Sequence, residues 1–135
     1  MNINLKFLSC ILLIFYTSDS YSGEMTKYGD IRIQADLATL DKLENELLLE
    51  KNVTIRFGIF TIIGNKALLS YGNNKLMIHG SPASITSKDG NINGAAEHFI
   101  IYPNLSLEML GDAKLFENDN SIYAEKITYQ INSND

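Results

Sequence analysis

The sequence predicts an all-β protein, an antiparallel β-jelly roll or open roll built from about four strand-pair repeats of roughly 30 residues each. Three observations predict it. Four stretches share one apolar pattern, a second mark recurs about half a repeat after each of the first three, and turn-forming residues punctuate the chain at short, even intervals.

The chain begins outside this pattern. MNINLKFLSCILLIFYTSDSYSGEM carries one positive charge at Lys6, an apolar run from Phe7 to Tyr16, and a polar stretch with small residues at Ser20 and Ser22. That order predicts a secretory signal peptide over 1–22, cleaved before Gly23, and a single domain over 23–135. The apolar run is shorter than the roughly 20 residues of a membrane-spanning helix. Cys10, the only cysteine, lies within it, so the expected mature chain has neither disulfide nor thiolate nucleophile.

The repeated stretches are IQADLATL, IIGNKALL, GAAEHFII and IYAEKITY, each with a small anchor: Ala35, Gly64, Ala96 and Ala124. Two positions before the anchor stand Ile33, Ile62, Gly94 and Ile122; three after it Ala38, Ala67, Phe99 and Ile127; five after it Leu40, Leu69, Ile101 and Tyr129. This is a strand's two-residue alternation with one slip, as a β-bulge produces, and no helix gives that spacing. The second mark falls at Lys51, Gly80 and Gly111, between apolar pairs such as Leu76 with Ile78 and Ala83 with Ile85. Glycine there is expected to supply a positive φ, and Lys51 to mark a gentler bend.

LATLDKLENELLLEKNV, residues 37–53, is rich in good helix formers. Its register matches ALLSYGNNKLMIHGSPA, which carries an evident turn at Gly72, Asn73 and Asn74. Strand, turn over Asp41 to Asn45, and strand is therefore the expectation, against local propensity. Further turns are expected at Phe57 with Gly58, Lys88 to Asn91, Tyr102 to Asn104, and Glu117 to Asn120.

The chemistry of an enzyme is not legible. His79 and His98 are the only histidines, 19 residues apart without a His-x-His pair, and they read as solvated or core-edge imidazoles rather than metal ligands. G-x-S-x-G, H-E-x-x-H and P-loop spacings do not occur. No catalytic residue, metal site or cofactor is expected. Removing residues 1–22 leaves 10 basic and 15 acidic side chains with no basic cluster, which argues against a nucleic-acid partner.

IRIQADLATLD, NELLLEKNVTIRFGIFTIIGNKALLS, GSPASI and SIYAEKITY, in that order, resemble the lipopolysaccharide-transport protein A family, LptA or OstA. The resemblance spans nearly all of the mature chain. It implies a periplasmic jelly roll, open along one side, whose apolar interior receives lipid A acyl chains and which bridges an LptC-like inner-membrane partner to an LptD-like outer-membrane partner, with head-to-tail self-association. The expected lipid-facing residues are Ile33, Leu49, Ile62, Leu69, Ile78, Phe99, Ile101 and Tyr129. The expected partner edges are the end strands, with Ile31, Ile33 and Leu40 on one and Ile122, Ile127 and Ile131 on the other, because end strands lack a sequence neighbour on one side. Lys51 departs from the family's usual glycine, and the chain stops at Asp135, sooner after the last motif than is usual in the family. Two other readings use the same residues: a membrane-tethered LptC-like scaffold, and a structural β domain without a lipid ligand.

Overall fold

The computed structural model describes residues 31–102 and 106–130, and every element among them is a β-strand. In chain order these are β1 (Ile31–Gln34), β2 (Leu37–Asp41), β3 (Glu46–Phe57), β4 (Phe60–Ser70), β5 (Lys75–Ser87), β6 (Ile92–Ile101), β7 (Ser106–Glu117) and β8 (Asn120–Gln130). The expected signal peptide, Pro103 and Asn104 of one expected turn, and Ile131 lie outside the described residues.

The strands form one antiparallel sheet in sequence order, with β1 and β2 sharing β3 as their partner and β8 at the far edge. Residues 37–53 are strand, turn and strand. Asp41 pairs with Glu46 as Ser70 pairs with Lys75, so both hairpins close over four residues. The Asp41 carboxylate accepts from the backbone N–H groups of Leu43 and Glu44, which stabilises the turn locally. Helix propensity, a few tenths of a kcal/mol per residue, loses to a β3 strand that pairs on both sides and buries Leu49, Val53, Ile55 and Phe57.

Each long strand crosses a crease in which the ladder breaks, between Glu50 and Val53, Ile63 and Lys66, His79 and Ala83, Ala95 and His98, and Leu110 and Ala113. Across it the strand with the small anchor advances three residues while its neighbour advances four: Gly64 to Ala67 against Leu49 to Val53, and Ala124 to Ile127 against Met109 to Ala113. In β5 the neighbour advances five, from Ile78 to Ala83, through the cis Ser81–Pro82 bond. The unequal advance bends every strand at one line, so the sheet folds into two half-sheets that face each other.

The marks at the crease act differently from expectation at two positions. Gly111 has φ of 86°, as anticipated. Gly80 does not have a positive φ; a Cβ there would come within 2.5 Å of the Ala83 nitrogen, so glycine is required by close approach. Lys51 does not mark a gentler bend: it adopts φ of 68° and Asn52 follows at 54°. The strained pair is held by the first turn of chain between β1 and β2, where the Asp36 N–H donates to the Lys51 carbonyl and Asn52 Nδ2 donates to the Asp36 carboxylate, 2.8 Å away.

Candidate functional site

The inward side chains line up in rows, because cross-strand partners in register point to the same face. On one half-sheet a row runs Ala38, Leu49, Ala67, Ile78, Phe99, Met109, Ile127, and beside it another runs Leu40, Leu47, Leu69, Leu76, Ile101, Leu107, Tyr129. On the other half-sheet the row is Ile33, Ile55, Ile62, Ile85, Gly94, Leu115, Ile122. Every member but Gly94 is apolar or, in Tyr129, an amphipathic aromatic.

The half-sheets touch at specific points. Phe60 of β4 meets Tyr129 of β8 edge to face, with ring centroids 6.0 Å apart, although the two strands are not neighbours in the sheet. Deeper in, a Cβ on Gly94 would lie 2.8 Å from the Lys114 carbonyl oxygen and 2.9 Å from Met109 Cε, so the missing side chain makes room for the methionine opposite. Between the layers, Phe60, Ile85, Ile92, Leu107, Met109, Leu115 and Tyr129 border an apolar recess that leaves no space wide enough for a water molecule. At this point the facing side chains meet without an intervening water, as in an ordinary core.

All eight residues expected to face lipid point into this interior. Leu49, Ile62, Ile78, Phe99 and Ile101 are buried within it, while Ile33, Leu69 and Tyr129 are half-buried at its margins. Phe60, Ile85, Ile92, Leu107, Met109 and Leu115 line the apolar recess too and were not singled out from the sequence. The signal was present for four of them: the apolar pairs that flank Gly80 and Gly111 include Ile85, Leu107, Met109 and Leu115.

Of the expected edge residues, Ile31 and Ile33 lie half-buried on β1, and Leu40 on β2 is exposed. At the other margin Ile122 and Ile127 each end one of the inward rows, Ile122 exposed and Ile127 buried. The Tyr102 N–H donates to the Ser106 carbonyl, which turns the Ser106 backbone toward β6. Residues paired across antiparallel strands bond to each other or both turn away. Gln130, the partner of Ser106, and Thr128, two residues earlier, therefore direct their N–H groups away from β7, toward the sheet margin.

The outer face near that margin carries a polar network. Tyr102 Oη donates to Glu108 Oε1 at 2.9 Å, and Lys126 Nζ lies 3.3 Å from Glu108 Oε2. The tyrosine's hydrogen bond holds the Glu108 carboxyl below its ordinary value, with burial opposing and Lys126 adding to the fall, and the same bond raises Tyr102. At the β5–β6 turn, Ser87 Oγ donates to Asp89 at 2.6 Å and accepts from the Ile92 N–H, and the Ser87 bond lowers Asp89 most. Among the described residues no group of three or more His, Cys, Asp or Glu gathers at metal-binding distance.

Comparison with known proteins follows the same lines. A solved structure similar to this chain is that of LptH of Pseudomonas aeruginosa, described as the LptA-homologous periplasmic component of the conserved lipopolysaccharide transport device. It superposes with a TM-score of 0.66 at 23% identity over 75% of this chain and 76% of its own, which shows the shared fold. A search of curated protein sequences gives no match. The sequence profile of the family described as "LptA/(LptD N-terminal domain) LPS transport protein" matches residues 32–135. The chain belongs to this LptA/LptD N-terminal-domain family of lipopolysaccharide transport proteins.

Proposed function

We propose that the mature chain is a periplasmic carrier in lipopolysaccharide export, exported by the signal peptide at 1–22, with acyl chains held between the two half-sheets. The single observation that carries this reading is the apolar lining of a sheet that folds on itself and, among the described residues, does not pair its two margins. A half-strand of about six residues spans roughly 20 Å, the length of an extended acyl chain. The recess beside Phe60 and Tyr129 has no room for one as it stands, so loading there would part the half-sheets along the margin where these two rings meet. Acyl chains then replace one apolar surface with another, and the exchange costs little hydration free energy.

Ile33, Leu49, Ile62, Leu69, Ile78, Phe99, Ile101 and Tyr129 would contact the acyl chains. The β1–β2 margin and the β8 margin would extend into LptC-like and LptD-like partners or into further copies of the chain, one sheet continuing another. A net charge of −5 assigns the affinity to acyl burial rather than to capture of lipid phosphates. A photo-crosslinking amino acid at Tyr129, at the interior's margin, should label lipopolysaccharide in cells, and one at the outward Glu97 should label it much less. Equal labelling at both positions would overturn the reading.

A further inference from the structure

On the outer face, opposite the interior, the two histidines meet. His79 of β5 and His98 of β6 are register partners, and their Nδ1 atoms lie 3.2 Å apart with ring centroids 4.7 Å apart and planes 36° from parallel. We propose that this pair is a two-imidazole site for a divalent first-row transition ion of the nitrogen-preferring group, Zn²⁺, Ni²⁺ or Cu²⁺.

The geometry fits that chemistry. With metal–nitrogen bonds of about 2.0–2.1 Å, two nitrogens 3.2 Å apart subtend an angle of about 100° at the ion, near the tetrahedral value and within reach of a square-planar one. The same contact, as an N–H···N bond, requires one Nδ1 to be an unprotonated acceptor, which is the form that ligates a metal. Replacing the shared proton with an ion uses both lone pairs.

The backbone beneath the pair is fixed. His79↔His98 is the last pair before the β5–β6 ladder breaks at the crease. Gly80 follows His79 with no space for a Cβ, and a Cβ on Gly64 would lie 2.7 Å from the His79 carbonyl oxygen, so β4 packs directly against that carbonyl. His79 is exposed and His98 half-buried, leaving water to complete the coordination shell. The charged neighbours are Lys66, which pairs with His79 from β4 and is exposed, and Glu97, next to His98 in the chain and packed over Gly111 of β7; the β7 neighbour by register, Leu110, is uncharged. An ion held by both imidazoles would tie β5 to β6 at the bend.

The test is calorimetric titration of untagged, chelator-treated protein with CuCl₂, NiCl₂, ZnCl₂ and, as control, MgCl₂. One ion per chain is expected, Cu²⁺ tightest and Mg²⁺ absent. His79→Gln and His98→Gln should each weaken binding at least about tenfold, because each removes one of two ligands, and the double variant should lose little more. Circular dichroism reports whether the variants keep the β fold. In the wild-type protein, Zn²⁺ should shift the ring resonances of both histidines together, which needs no variant. Absence of binding by the wild type, a response from one imidazole alone, or variants that bind as the wild type does would each overturn the proposal.

Discussion

Phe60 and Tyr129 lie 69 residues apart in the chain, on strands separated by three others in the sheet, yet their rings meet edge to face with centroids 6.0 Å apart. That contact exists only because the sheet bends at its crease. It also marks where the two half-sheets must separate if the interior is to take up a long apolar molecule, which makes the pair a place to probe both stability and loading.

A double-mutant cycle on Phe60→Leu and Tyr129→Leu should give a coupling of about 0.5–1.5 kcal/mol in denaturant unfolding, the usual worth of such an aromatic pair beyond area burial. The single variants should also raise binding of a fluorescent apolar dye, since they loosen the margin. Additive effects with unchanged dye binding would show that the contact does not hold the half-sheets together.

Gly94→Ala is expected to destabilise the fold by about 1–3 kcal/mol, because the new methyl meets the Lys114 carbonyl oxygen and the Met109 methyl inside normal contact distance. Gly72→Ala, at a turn where a Cβ meets nothing within 4 Å, is the matched control and should change stability little. Thermal unfolding of the two proteins side by side makes the comparison.

Lys51→Gly should be neutral or stabilise by up to about 1 kcal/mol, since φ of 68° strains any residue with a Cβ. Lys51→Val, whose branched side chain tolerates that conformation worst, should destabilise. If valine were accepted as readily as glycine in urea melts, the left-handed conformation would not be the constraint at this position.

Thr128→Pro removes an N–H that points away from β7, so the monomer should stay folded while association through the β8 margin weakens. Ile127→Pro removes a donor directed into the β7 ladder and should unfold the edge. Sedimentation and pull-down with membrane partners distinguish the two. Unaltered association in the folded Thr128→Pro protein would exclude β8 as a docking edge.

Acid should weaken the outer network at Glu108. Its carboxyl titrates below the ordinary 4.5, chiefly because Tyr102 donates to the charged form and with help from Lys126. A folded-state value below the unfolded one means that the contribution is complete above the unfolded value and is lost as pH falls through the folded value. Stability should therefore decline below about pH 4.5, and Glu108→Gln, which keeps an acceptor for Tyr102, should flatten that decline in unfolding curves measured across the acid range.

Much of this fold is written in local spacing. The offsets around Ala35, Gly64, Ala96 and Ala124 identify the strands, the inward face and the slip at the bend, because a pleat alternates by two and one unequal step is visible in any run of apolar residues. The hairpin at 42–45 is legible through its match with 71–74, although propensity alone points to helix. Three things required the assembled sheet. Lys51 and Asn52 take left-handed φ values because Asp36, brought alongside between β1 and β2, bonds to both and holds them there. Phe60 and Ile92 join the interior because their positions at the strand ends carry no anchor spacing and only the fold closes over them. His79 and His98, 19 residues apart, become neighbours through a register that skips five residues against three at the crease, and the physical reason is that pairing across a bulge is set by the packing of two half-sheets rather than by distance along the chain.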